Sequence, residues 1–162
     1  MSERPASGRG IIFATIFAGL ALAVWPLPDF MQAWWPSWAA LILIYWGMAL
    51  PWRVSVGSFW VAGLLLDALK GAVLGEHAIA FTVLALATSR WHLQVRVFPV
   101  QQQMLAVGLL LALYQFILFW VRGIAGASQP PLFHIAPVVS SMLAWPFAFL
   151  LLRELRRRYK VS

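Results

Sequence analysis

The chain has no cysteine. Disulfides and thiolate chemistry are thereby excluded, and cysteine usage says nothing about the redox state of its compartment. Acidic residues are nearly as scarce, with five Asp and Glu in 162 residues. Charged residues of both signs amount to 10%, less than half the usual share. What fills the space is 62% hydrophobic residues, against about 45–50% in soluble domains. A soluble domain of this length cannot bury that much apolar surface. The hydrophobic segments are also apolar on every face, which points to lipid as part of the solvent.

Catalytic signatures are missing as well. There is no phosphate loop, no G-x-S-x-G and no H-E-x-x-H. The three histidines, His77, His92 and His134, lie in separate stretches without metal-ligand spacing. Asp67 and Glu76 serve as an acid–base pair only if the fold brings them together. We therefore expect no enzyme, no cofactor and no metal. The net charge of +7 raises the question of nucleic acid, but the basic residues lie between and after hydrophobic runs. That distribution marks membrane topology and argues against a nucleic-acid partner.

Six hydrophobic segments can be drawn: Gly10–Leu27, Pro36–Trp52, Val54–Val73, His77–Arg90, Val100–Val121 and Ile135–Leu152. Crossing a hydrocarbon core of about 30 Å takes about 20 helical residues. The first, third, fifth and sixth fit; the second and fourth are short. With a cytoplasmic N-terminus, ten of the twelve Lys and Arg lie inside, and only Lys70 and Arg122 lie towards the outside. This positive-inside bias demands an even number of spans and puts both termini in the cytoplasm. Four spans remain an option if the short segments are interfacial. The expected architecture is an all-α, polytopic membrane bundle of about six helices in one domain, residues 1–162. It has a short cytoplasmic N-terminus (1–9) and a basic cytoplasmic tail (153–162). The Ala21-Leu22-Ala23 stretch is a weak match to a signal-peptide cleavage site, and an uncleaved first helix keeps the even count. Several of the ten tryptophans, Trp25, Trp34, Trp35, Trp38, Trp52, Trp91 and Trp120, fall near span ends, where interfacial rings anchor helices.

The stretch GLLLDALKGAVLGEHA, residues 63–78, concentrates rare charge in an apolar setting. On a helix, Asp67 and Lys70 are i and i+3 neighbours and partly neutralise each other. A lone charge inside a membrane costs about 2.5–3.5 kcal/mol on insertion scales. Gly63, Asp67, Gly71 and Gly75 share one stripe, and small residues let helix backbones approach closely. That places Asp67 in the bundle interior. Gly75 permits a sharp reversal, and Glu76 then sits at a helix N-terminus, where the macrodipole favours a carboxylate. His77 follows at once. Packing and turn formation are the ordinary explanation of this cluster; contact with a partner or ligand, and proton handling, are the alternatives. Tyr114 and Gln115 lie mid-span and can hydrogen-bond between helices. Ser140, Ser141 and Pro146 invite the same treatment, with Pro146 expected to kink its helix. The tail carries Arg153, Arg156, Arg157, Arg158 and Lys160. It serves as a topology signal, and it also suits anionic lipid headgroups or an acidic cytoplasmic protein.

The same stretch carries a resemblance. LLLDALKGAVLGEHAIAF resembles the signature region of the MreD family of bacterial rod-shape determinants. There, a leucine-rich helix with an aspartate leads through a small-residue turn into G-[EQ]-H-A. The likeness continues through RVFPVQQQ and LLALYQFILFW to a proline-containing last span with an Arg-rich tail, roughly residues 55–160. Lys70 departs from it, adding a charge where a neutral residue is common. The resemblance implies a non-enzymatic inner-membrane protein of the elongation machinery that organises lateral peptidoglycan synthesis. It implies as partners the bitopic protein MreC, the actin-like MreB, and the synthases RodA and penicillin-binding protein 2. It also implies a helical fold similar to the substrate-binding subunits of vitamin transporters. This suggests an alternative function, a small-molecule or lipid-binding membrane protein. In that case Asp67, Lys70, Glu76, His77, Tyr114 and Gln115 would line an outward-facing pocket.

Overall fold

The structure is a computed structural model and describes residues 7–161. Arg4 and Ser162 lie outside the described residues. Among the described residues, seven helices account for the secondary structure: α1 (Ser7–Ala23), α2 (Asp29–Gln32), α3 (Trp38–Ala49), α4 (Val56–Lys70), α5 (Glu76–Val97), α6 (Val100–Ile124) and α7 (Leu132–Arg158). There is no strand among the described residues.

The short second segment is the centre of the bundle. Every residue of α3 from Ala39 to Ala49 is buried. Its sequence WAALILIYWGMA carries no charge on any face, as suits a helix enclosed on all sides. Helices α1, α5 and α7 pack around it. At 12 residues it rises only about 18 Å, short of the bilayer's hydrocarbon core. Around it, α4 with α5, α5 with α6 and α6 with α7 form successive antiparallel pairs. Three polar contacts fasten α1 and the start of α3 to the rest. Trp46 Nε1 donates to Thr15 Oγ1 at 2.9 Å, Trp35 Nε1 to the Leu22 carbonyl at 2.8 Å, and the Ser37 N–H to Ser141 Oγ at 2.8 Å.

The outside of the bundle is apolar. Phe17, Leu65, Leu86, Leu109, Phe116, Leu143 and Leu150 all point outwards and are exposed. Helices α6 and α7 are each long and apolar enough to cross a membrane; α1 and α3 are shorter apolar helices. Exposed apolar surface on this scale calls for a non-aqueous neighbour.

Several expected boundaries shift. The fourth segment does not stop at Arg90, because α5 continues to Val97. It ends where Phe98 is extended ahead of Pro99, and a residue before proline is steered out of the helical region. Helix α7 runs through both Pro137 and Pro146. The tail is not a free extension either. Arg153, Arg156, Arg157 and Arg158 belong to α7, and the chain then turns at Lys160, which has φ 47°. Val161 is buried against the core. Its N–H donates to the Arg156 carbonyl at 3.0 Å, and Arg156 Nε donates to its carbonyl at 3.3 Å.

Candidate functional site

The polar cluster is built on the α4–α5 turn. Gly71, with φ 62°, closes α4; its N–H reaches the Ala68 carbonyl at 3.4 Å, and the Ala72 N–H reaches the Asp67 carbonyl at 3.0 Å. This is a Schellman ending, which glycine favours because it has no Cβ to clash. Gly75, with φ 101°, sets the entry into α5. Both glycines therefore serve the turn and do not extend a packing stripe along α4. Only Gly63 of the supposed stripe makes the close approach: a Cβ there would lie 2.4 Å from Ala78 Cα.

This crossing brings Asp67 to the N-terminus of α5. Asp67 is fully buried. Its Oδ1 accepts the His77 N–H at 2.9 Å and His77 Nδ1–H at 2.7 Å. Its Oδ2 accepts the Gly75 N–H at 2.9 Å, with the Ala78 N–H farther off at 3.4 Å. The first N–H groups of a helix have no partner within it, and side-chain oxygens commonly supply one. Here a carboxylate from the preceding helix does so, at the end where the dipole favours negative charge. The expected pairing of Asp67 with Lys70 is not made. Asp67 turns into the bundle, whereas Lys70 is exposed at the helix end.

Glu76 opens α5 and is ion-paired with Arg122 Nε of α6. Arg122 Nη1 donates to Gln129 Oε1 at 2.7 Å. In the sequence Arg122 stands only as an outer charge; 46 positions from Glu76, it gives no local signal of the pairing. Tyr114 is buried and stacks on Phe81, with ring centroids 5.2 Å apart and planes 22° apart. His77 stands 6.5 Å from the same Tyr114 ring. His134 Nδ1 donates to Gln115 Oε1 at 3.3 Å.

Most of these side chains, though not Phe81 or His134, border a cavity of about 560 Å³. Lys70, Glu76, His77, Tyr114, Gln115 and Arg122 belong to its polar lining, with Gln32, Ser37 and Gln129. Leu27, Leu66, Leu118 and Phe133 are among its apolar residues, together with Trp35 and Ala23. The lining comes from the C-terminal ends of α1, α4 and α6 and the N-terminal ends of α3, α5 and α7, which is one end of the bundle. Asp67, Gly71 and Gly75 stand behind this wall. The basic residues Arg153, Arg156, Arg157, Arg158 and Lys160 lie towards the other end of α7. No group of three or more His, Asp or Glu among the described residues is placed to hold a metal ion.

Over residues 7–155 the chain matches the family of rod shape-determining protein MreD. It is similar to the rod shape-determining protein MreD of Haemophilus influenzae, with 32% identity over 152 residues that cover 92% of this chain and 91% of that one. No solved structure matches it.

Proposed function

Since the chain belongs to the MreD family of rod shape-determining proteins, non-enzymatic membrane proteins of cell shape, we propose that it is an inner-membrane scaffold of the cell-elongation complex. In this role it binds an MreC-like bitopic protein and helps to organise lateral peptidoglycan synthesis. An MreB-like filament and synthases like RodA and penicillin-binding protein 2 complete the assembly. The observation that carries this reading is the apolar exterior of a bundle with short connections. Such a protein offers its partners helix faces, loop tips and one basic end. Helix association in lipid works by close packing and interhelical hydrogen bonds, which suits a partner with a single membrane-spanning helix. The basic end, Arg153–Lys160, suits anionic lipid headgroups.

We read α1 and α3–α7 as six spans in one domain, with both termini cytoplasmic; the short α3 completes its crossing through flanking backbone enclosed by the bundle. The ten-to-two distribution of Lys and Arg supports this, and it sets the cavity on the outer side. Depletion of the protein should round the cells, and the intact chain should restore rods. Reporter fusions after Ser128 should read outside and fusions at Ser162 inside. Rods that persist without the protein would overturn the scaffold, and a C-terminus that reads outside would overturn the topology.

A second reading, a small-molecule or lipid-binding membrane protein similar to a vitamin-uptake subunit, is favoured by the cavity. Lys70, Glu76, His77, Tyr114 and Gln115 all border it.

A further inference from the structure

The chemistry of the cavity narrows what it would hold. Its volume of about 560 Å³ falls within the usual range for small-molecule sites, about 300–1,000 Å³. Its lining carries two cations, Lys70 and Arg122, against one carboxylate, Glu76. The second nearby carboxylate, Asp67, has both oxygens taken by donors of the α4–α5 turn and is not part of the lining.

The balance of donors points the same way. Arg122 has five N–H groups, and two go to Glu76 and Gln129. Lys70 has three, and among the described residues it makes neither an ion pair nor a side-chain hydrogen bond. Uncommitted cationic donors thus outnumber charged acceptors. An anionic group can use these donors, whereas a cation would be repelled. Bidentate or paired cationic contacts are what phosphate and carboxylate groups take. The cavity is also far larger than one such group, and Leu27, Leu66, Leu118 and Phe133 supply apolar wall for the remainder.

We propose that this cavity binds a singly charged anionic amphiphile, with its phosphate or carboxylate between Lys70 and Arg122 and its apolar part against Leu66, Leu118 and Phe133. The proposal rests on the ligand-binding reading above and adds the ligand's charge and shape. Lys70 is its specificity residue, because Arg122 is already held by Glu76. A membrane phospholipid and a soluble anion share the headgroup chemistry, so the test carries both.

The experiment uses the full chain purified in neutral detergent. Binding is read by native mass spectrometry and by the shift in thermal unfolding. The probes are short-chain phosphatidylglycerol, the matching phosphatidylcholine, and inorganic phosphate. Saturable binding of phosphatidylglycerol is expected, with Lys70→Met weakening it roughly tenfold or more, the scale of one charge-assisted contact. Lys70→Arg should keep most of the binding. Arg90→Gln, an exposed charge outside the cavity, should leave it unchanged, and Arg157→Gln with Arg158→Gln should remove only lipid held at the basic end. Binding of phosphate alone at comparable strength would keep the anion site but overturn the amphiphile, because the apolar wall would then add nothing. Equal binding of phosphatidylcholine, untouched by Lys70→Met, would overturn the anionic specificity while leaving a ligand cavity. Loss of binding in the Arg157/Arg158 variant but not in Lys70→Met would overturn the location. Binding of none of the probes would overturn the proposal and the ligand-binding reading together.

Discussion

Asp67 offers the sharpest perturbation. The side chain is buried and joins the end of α4 to the start of α5 through His77 and Gly75. Asp67→Leu keeps the bulk but removes every acceptor. The His77 N–H and Nδ1–H are then left unpaired inside a residue that is 1% exposed. Each buried donor without a partner costs about 1–3 kcal/mol, so the variant should lose about 2–6 kcal/mol. The Gly75 N–H is less buried and is left out of this figure. Asp67→Asn keeps one acceptor oxygen. Turned towards His77, it sets its NH₂ against the Gly75 N–H, 2.9 Å away in the wild type, for a loss of about 1–3 kcal/mol. The geometry therefore places Asn between wild type and Leu. Membrane abundance and thermal unfolding should follow the order Asp, Asn, Leu. Rod-shape complementation should fall only as folded protein is lost. If both variants are as abundant and as stable as wild type yet fail to complement, the structural account of Asp67 is wrong and the charge itself is functional.

Further substitutions address other joints of the bundle. Gly63→Ala sets a methyl 2.4 Å from Ala78 Cα and should destabilise by about 1–3 kcal/mol; Gly10→Ala meets nothing within 4 Å and should be neutral within about 1 kcal/mol in the same unfolding assay. Arg122→Gln strands the buried Glu76 carboxylate and should lower the unfolding temperature more than Glu76→Gln does, while the double variant regains part of the loss in a double-mutant cycle. Arg157→Gln with Arg158→Gln removes two exposed charges and should weaken binding to anionic vesicles by about 2 kcal/mol without changing protein abundance. Arg156→Ala should instead loosen the C-terminal turn, because Arg156 Nε holds the Val161 carbonyl; limited proteolysis of the tail would register it.

The sequence makes the helical class legible because apolar runs without alternation leave few alternatives. It also makes the α4–α5 turn legible, since Gly71, Gly75 and the charges around them are local signals. Burial order is not local. Nothing in WAALILIYWGMA distinguishes a lipid-facing span from the rod that α1, α5 and α7 surround. The i, i+3 rule pairs Asp67 with Lys70 because they are neighbours on one helix. The turn brings a stronger competitor, since three backbone and side-chain donors of Gly75 and His77 converge on the carboxylate at 2.7–2.9 Å. Arg122 escapes notice for a different reason. Its partner Glu76 opens the neighbouring helix α5 but lies 46 positions away in sequence, and a lone outer arginine is what topology alone explains. The end of the chain misleads through composition, for an Arg-rich stretch reads as solvated tail although Val161 behind it is buried.

The central claim is that the chain works through its membrane-embedded helix faces. The most direct measurement is site-specific photocrosslinking in growing cells from exposed positions on different faces: Leu65 on α4, Leu109 and Phe116 on α6, and Leu143 and Phe147 on α7. Adducts are identified by mass spectrometry. The account predicts adducts with a bitopic membrane protein of the elongation complex from one contiguous face, and lipid adducts from the others. Lipid adducts alone at every position, in cells whose rod shape depends on the protein, would contradict it.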